Sequence, residues 1–340
     1  MNYLKNTNKK NLTINLITIS IITFFPMTKN QNVLISSRSF GKINSGAIEL
    51  LKEKGLNPIL NPYGKKLNED QIIELMNESI GIIAGTENIT KKIIDSNPNL
   101  KIISRYGIGL DNVDLKAAEE NNVLVFNTPE TPSLAVAELT IALIFILIKK
   151  IRVVDSRLRR DEWKPEIGNT LKGKTVGIIG LGKIGKKVAQ FLKIFDAKII
   201  VYDIKPDKEF AKEKDIDIVS LDKVLKNSDI VTVHAPLTDE TKYLIDKKRL
   251  QMMKKTAFLI NTARGGLIHE GDLYNALKEK NIAGAALDVF ENEPEVGKLK
   301  ELENIVITPH IATYNIETRK DMELEAAKNI IKGLGEIKIK

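Results

Sequence analysis

Residues 174–203 read KTVGIIGLGKIGKKVAQFLKIFDAKIIVYD. An apolar, β-branched run over residues 175–179 ends in GLGKIG at 180–185, and apolar side chains then recur at helical spacing at Ile184, Val188, Phe191, Leu192 and Phe195. A short apolar run that crosses a glycine turn into a 3.6-residue period is a strand feeding a helix. In that setting each glycine has a use. Gly180 permits the tight turn, Gly182 lets the backbone approach a pyrophosphate, and Gly185 allows the helix to close on the strand. The diphosphate then rests on the helix N-terminus, where unpaired amides and the helix dipole favour an anion. The next β-rich run ends in Asp203, whose carboxylate is placed to accept hydrogen bonds from the adenosine ribose and to repel a 2′-phosphate. The expected cofactor is therefore NAD rather than NADP, with Lys205 nearby as the one cation that would tolerate the extra phosphate.

Outward from this unit the pattern repeats. Downstream, DIVTVHAP at 229, TAFLINTA at 256, AGAALDVF at 283 and NIVITPH at 304 complete a set of six strands with the two above. Upstream, NVLISSR at 32, NPILNP at 57, GIIAGT at 81, LKIISRYG at 100 and VLVFNT at 123 alternate with helical stretches. Alternation of this kind makes parallel sheets covered by helices on both faces. The predicted fold is α/β with two doubly wound parallel-sheet domains: a Rossmann NAD-binding domain, residues 129–310, inserted in a flavodoxin-like substrate (catalytic) domain, residues 27–128 plus 311–340. A chain that crosses between domains twice implies a cleft with two hinges.

Composition narrows the function classes. The chain has 340 residues, enough for two domains, with 43% hydrophobic and 28% charged side chains. The absence of cysteine removes disulfides, thiolate nucleophiles and zinc–cysteine sites, and suits a cytoplasmic, reducing setting. With only three histidines, His234, His269 and His310, no metal centre is expected. Four of the charges behind the net +8 (Lys5, Lys9, Lys10 and Lys29) lie in an acid-free first thirty residues, and elsewhere lysines interleave with acids. That is a solvated surface, not a phosphate-tracking stripe, so no nucleic-acid partner is expected. Residues 12–25 are apolar but polar-interrupted and lack a small-residue cleavage site, so residues 1–26 read as a leader or over-extended start, dispensable to a chain beginning at Met27. The apolar run at 134–148 is short for a bilayer and contains Glu138; it reads as a buried or interface helix, with no membrane partner.

Three polar residues fall at or just past strand ends, on the carboxyl edge where open α/β sheets place ligands: Arg264 in NTARGG, Glu293 in DVFENEP and His310 in TPHIA. Each alone has an ordinary structural explanation. Together with GLGKIG, SRYGIGLDNVD (104–114), NTPETPSLAVAELT (127–140) and VHAPLT (233–238), they make the chain resemble the D-2-hydroxyacid dehydrogenase family from about residue 32 onward, nearest its phosphoglycerate dehydrogenase-like branch.

The resemblance implies an NAD-dependent oxidoreductase that transfers hydride reversibly between NAD(H) and a small 2-hydroxy or 2-keto acid. It assigns Arg264 to the substrate carboxylate and carbonyl, His310 to proton transfer, and Glu293 to holding His310 in its protonated form. It places the backbone of Tyr106, Gly107, Ile108 and Gly109 around the substrate carboxylate. Lys183, Ile184, His234, Thr262, Ala263 and Asp288 join Gly180, Gly182, Gly185 and Asp203 along the cofactor, and residues 133–151 go in a homodimer interface. Two departures bear on the substrate. Many serine-pathway members continue into regulatory domains, which are not expected in the thirty residues after His310. Members that hold a phosphate commonly have arginine where this chain has Ala84-Gly85-Thr86, leaving Arg38 in SRSFGK as the candidate phosphate cation. A hydroxypyruvate or glyoxylate reductase, or an NAD-sensing corepressor-like binding protein, remain alternatives. Glu293 argues against a formate dehydrogenase, which pairs its histidine with glutamine.

Overall fold

The computed structural model describes residues 31–129, 131–294 and 297–339. The leader assigned to residues 1–26 lies outside them. Five parallel strands, β1 (Gln31–Ile35), β2 (Leu56–Leu60), β3 (Ser79–Ala84), β4 (Ile102–Arg105) and β5 (Leu124–Phe126), form one sheet in the order β2-β1-β3-β4-β5. Successive strand side chains point to opposite faces. Leu34 thus joins a core with Ile72, Ile93 and Ala117 from the helices of one face, while Val33 and Ile35 join Leu51, Met322, Ala326 and Ile330 on the other.

The second of these cores is unusual in its connectivity, because Met322, Ala326 and Ile330 belong to the C-terminal helix, Ile316–Ile339. That helix lies so close to the sheet that a methyl group on its Gly333 would sit 2.9 Å from both Ile102 and Phe126. Each large apolar side chain buried here stabilises the sheet by about 1.5–3 kcal/mol relative to exposure.

The second sheet runs β12-β11-β10-β9-β6-β7-β8, all parallel. Its strands are β6 (Thr175–Ile179), β7 (Lys198–Tyr202), β8 (Asp217–Ile218), β9 (Ile230–Val233), β10 (Phe258–Asn261), β11 (Gly284–Leu287) and β12 (Ile305–Ile307). The expected count of six is corrected to seven. The extra strand, β8, is two exposed residues at the sheet edge and carries neither the length nor the apolar run that marks the others.

In both sheets the chain reverses its direction of winding beside the first strand, between β1 and β3 and between β6 and β9. A doubly wound sheet opens its binding crevice at such a point. The loops after these four strands therefore frame the site.

Candidate active site

At the second sheet's reversal, Gly180 has φ +98°, and a side chain there would meet the backbone of His234 and Ala235 within 3 Å. The loops after β6 and β9 touch at that point. Gly182 caps the helix Lys183–Ile194, and the space where its side chain would stand is open. Gly185 faces the opposite constraint, since a Cβ there would collide with the carbonyl oxygen of Gly180. Asp203 fixes the loop from the side: Oδ2 accepts from the Leu181 amide at 2.6 Å and Oδ1 from the Lys205 amide at 2.7 Å. Ile184 is half-buried behind the loop, and Lys183 opens the helix on its exposed side.

Opposite, His234 bonds Thr232 through Nε2 at 3.0 Å, leaving its buried Nδ1 without a partner. Burial holds this imidazole neutral, its pKa pulled down to about 3. A naked helix N-terminus, an open glycine and an unpartnered ring nitrogen together fit a dinucleotide. Thr262 is less free, because its hydroxyl is 2.9 Å from that of Thr140; beside it the Ala263 amide donates to Asn261 Oδ1. Among the described residues no group of three acidic or histidine side chains could hold a metal ion.

The three polar residues Arg264, Glu293 and His310 are brought together by packing. Gly265, at the start of the 3-10 turn Gly265–Leu267, has room only for hydrogen, since a Cβ would run into the backbone of Phe290. This contact brings the loop carrying Arg264 against the one carrying Glu293. His310 Nδ1 lies 2.8 Å from Glu293 Oε2 and 3.1 Å from Oε1. The histidine occupies the left-handed region at φ +54°, a conformation that disfavours a non-glycine residue by about 1–2 kcal/mol.

Asp288 holds that turn. Its Oδ1 accepts from Thr308 Oγ1 at 2.5 Å and from the Ile311 amide at 2.8 Å, and Oδ2 accepts from the Ala312 amide at 3.0 Å. Burial pushes its carboxyl above the ordinary range, against the pull of these donors. Asp288, which the resemblance places along the cofactor, is fully buried under the histidine turn and braces it from both sides.

The residues expected around the substrate carboxylate divide. The Tyr106 amide donates to Ala84 O and the Gly107 amide to Arg105 O, so of the four amides only those of Ile108 and Gly109 have no acceptor among the described residues. The Tyr106 side chain is core, edge-on to Phe40 at 5.5 Å, and Arg319 of the C-terminal helix sits between its ring and that of Tyr314 at 4.8 and 4.6 Å. Arg319 also donates to Ser39 Oγ, and Glu323 accepts from the Gly41 amide. Arg38 is exposed and forms no ion pair among the described residues.

A residue not singled out beforehand, Asp111, accepts from Arg264 Nε at 2.9 Å and ties the two halves of the site together.

The family model for the NAD binding domain of D-isomer specific 2-hydroxyacid dehydrogenases matches residues 141–312. The chain belongs to that family. It is 44% identical over 257 residues to the glyoxylate reductase of Thermofilum pendens, covering 72% of this chain and 75% of that protein. To the D-3-phosphoglycerate dehydrogenase of Methanocaldococcus jannaschii it is 36% identical over 298 residues, covering 86% of this chain and 56% of that protein. The D-lactate dehydrogenase of Aquifex aeolicus, solved with NAD and lactic acid, aligns with a TM-score of 0.79 at 28% identity over 90% of this chain and 95% of that one. This chain is therefore an NAD-dependent oxidoreductase acting on the CH–OH group of 2-hydroxy acids.

In this dehydrogenase NAD supplies the hydride acceptor, and the protein must anchor the acid and move a proton. Glu293 is ready for the second task. Partial burial opposes its charge, yet the bond to His310, that residue's charge, the Phe290 amide and Lys66 together hold its carboxyl below the ordinary range. Glu293 is thus anionic at neutral pH. Glu293→Gln removes the negative charge beside His310 Nδ1, and the alkaline limb of the reduction profile is expected to move to lower pH. A pH series of kcat/KM checks this; an unmoved limb would mean that Glu293 only shapes the loop.

Proposed function

We propose that this dehydrogenase reduces a small unphosphorylated 2-keto acid of the glyoxylate or hydroxypyruvate kind, with NADH in preference to NADPH. One observation carries the substrate reading. Where phosphate-holding relatives place arginine, this chain has Ala84-Gly85-Thr86, and the buried carboxylate of Glu87 stands directly behind, 2.8 Å from where a Gly85 side chain would begin. Its Oε2 accepts from Ser36 Oγ at 2.8 Å. A dianionic phosphate placed against a buried acid is strongly disfavoured. The glyoxylate reductase relative agrees with this reading. The cofactor reading rests on the Asp203 carboxylate beside the glycine loop.

We assign the carboxylate to Arg264 with the amides of Ile108 and Gly109, the proton to His310, and the dinucleotide to the glycine loop with His234 and Thr262. We place the cofactor unit at residues 129–310 and the substrate unit at 27–128 with 311–340, a division that the packing of the C-terminal helix on the first sheet supports. A homodimer fits the apolar surface around the helix Pro132–Ile148 and the segment after it, where Leu134, Ile151, Leu158, Trp163 and Ile167 are exposed, the last two by 85% and 92%. The cysteine-free chain suits the cytoplasm.

The phosphoglycerate reading has in its favour the D-3-phosphoglycerate dehydrogenase relative and the exposed Arg38 in the loop after β1, which forms no ion pair among the described residues. The test is NADH and NADPH turnover with glyoxylate, hydroxypyruvate, pyruvate and 3-phosphohydroxypyruvate, in the native chain and in Arg38→Ala. The expected result is highest kcat/KM with NADH and an unphosphorylated acid, indifferent to Arg38. Preference for the phosphorylated acid, with KM rising selectively in Arg38→Ala, would establish the second reading instead.

A further inference from the structure

The anion cradle contains an acid that the chemistry so far leaves unused. Asp111 follows the glycine loop by two residues, and its Oδ1 takes the Nε proton of Arg264 at 2.9 Å, while Arg264 Nη1 donates to its own neighbour, Ala263 O, at 2.7 Å. Gly109 lies flat against the guanidinium, for a Cβ there would strike Arg264 Nη2 and Asp111 Oδ1. Two bonds and a steric wall thus fix the guanidinium, with Nη2 held against Gly109.

A second guanidinium lies beneath. Arg105 is buried, bonded through Nε to Asn112 Oδ1 at 3.0 Å and through Nη1 to Tyr106 O, and it stands behind Gly107. Burial and the nearby charge of Arg264 lower its pKa to about 10, against the support of Asp111 and Glu87. The cradle therefore combines two guanidiniums with two carboxylates. A carboxylate beside the arginine that receives an anion weakens that arginine's pull on every anion, and weakens it more for two negative charges than for one.

We infer that Asp111 is a positioning and specificity residue: it aims Arg264 at the substrate and sets the charge of the cradle so that a monoanionic 2-keto acid is taken and a dianion refused. The inference rests on Arg264 being the carboxylate-binding residue, as proposed above. It predicts effects of opposite sign from one substitution. In Asp111→Asn the guanidinium loses its charged partner, so kcat/KM for the keto acid falls about tenfold, while inhibition by dianionic oxalate tightens about tenfold relative to monoanionic oxamate, the order expected of one unit charge a few ångströms away.

The experiment measures Ki for oxalate and oxamate against whichever keto acid the native enzyme reduces best, in the native chain, Asp111→Asn and Asp111→Glu, with NADH affinity from fluorescence as the control for folding. The expected outcome is a lower oxalate-to-oxamate Ki ratio in Asp111→Asn alone, with lowered kcat/KM and unchanged NADH affinity. An unchanged ratio, or oxalate and oxamate both weakened equally, would overturn the charge-setting role and leave Asp111 as a structural tie between the two sheets. If Arg264→Ala does not weaken either inhibitor, the proposed carboxylate assignment fails instead, and the two failures are told apart.

Discussion

His310→Ala is expected to lower keto-acid turnover by about two to four orders of magnitude, the range over which a positioned general acid contributes, with NADH affinity little changed. The reason is geometric. The imidazole is gripped through Nδ1 by Glu293, which leaves Nε2 as the nitrogen free to meet a developing alkoxide. Its left-handed backbone complicates the alanine result, because alanine is strained there too. Asparagine accepts that conformation more readily, so His310→Asn keeps the turn that Asp288 clasps and removes only the proton donor. Single-turnover reduction in both variants, with NADH binding measured alongside, separates chemistry from folding. Turnover near the native value in His310→Asn would show that the proton comes from elsewhere.

The second large effect belongs to Arg264. Arg264→Lys retains the charge but has one nitrogen in place of the fork, so it cannot bond Asp111, Ala263 O and a substrate carboxylate together. A fall in kcat/KM of roughly a hundredfold, about 3 kcal/mol of transition-state binding, is expected, with KM rising and the pH profile unmoved. Arg264→Ala should lose more, since Asp111 is then left without its cation. Steady-state kinetics with the best keto acid decides it: a lysine variant within about threefold of native would mean that charge alone suffices and that the fork has no function.

Much of this arrangement is legible in the sequence, for a physical reason. Strands buried on both faces are continuous β-branched runs, and a turn that must touch a diphosphate is written in glycines. The two residues of β8, exposed and short, write nothing. Pairings across the chain are equally silent. Arg264 and Asp111 are 153 positions apart and Arg319 and Ser39 are 280 apart, so no local pattern ties one to the other. The loop of Tyr106 to Gly109 was legible as a cradle, but which of its amides the sheet already uses depends on Ala84, a residue of another strand. Asp288 shows the same limit. Its place at the end of β11 suggests a ligand-facing carboxylate, and only the path of the chain after β12 turns it into the brace of the histidine.

The return of the C-terminal helix to the first sheet has a consequence for how the protein is made. As the chain leaves the ribosome, β1 to β5 appear before β6 to β12, with helices for one face and only Gly46–Glu53 toward the other, and Val33, Ile35, Ile83 and Ile102 wait for partners at Met322 to Leu334 that are translated after the whole second sheet. The unit built on β6 to β12 meanwhile has every strand and covering helix it needs and can fold as it emerges. The second sheet can therefore close before the first, which stays open on one apolar face until the helix Ile316–Ile339 arrives. Such a surface is where chaperones bind and where aggregation begins.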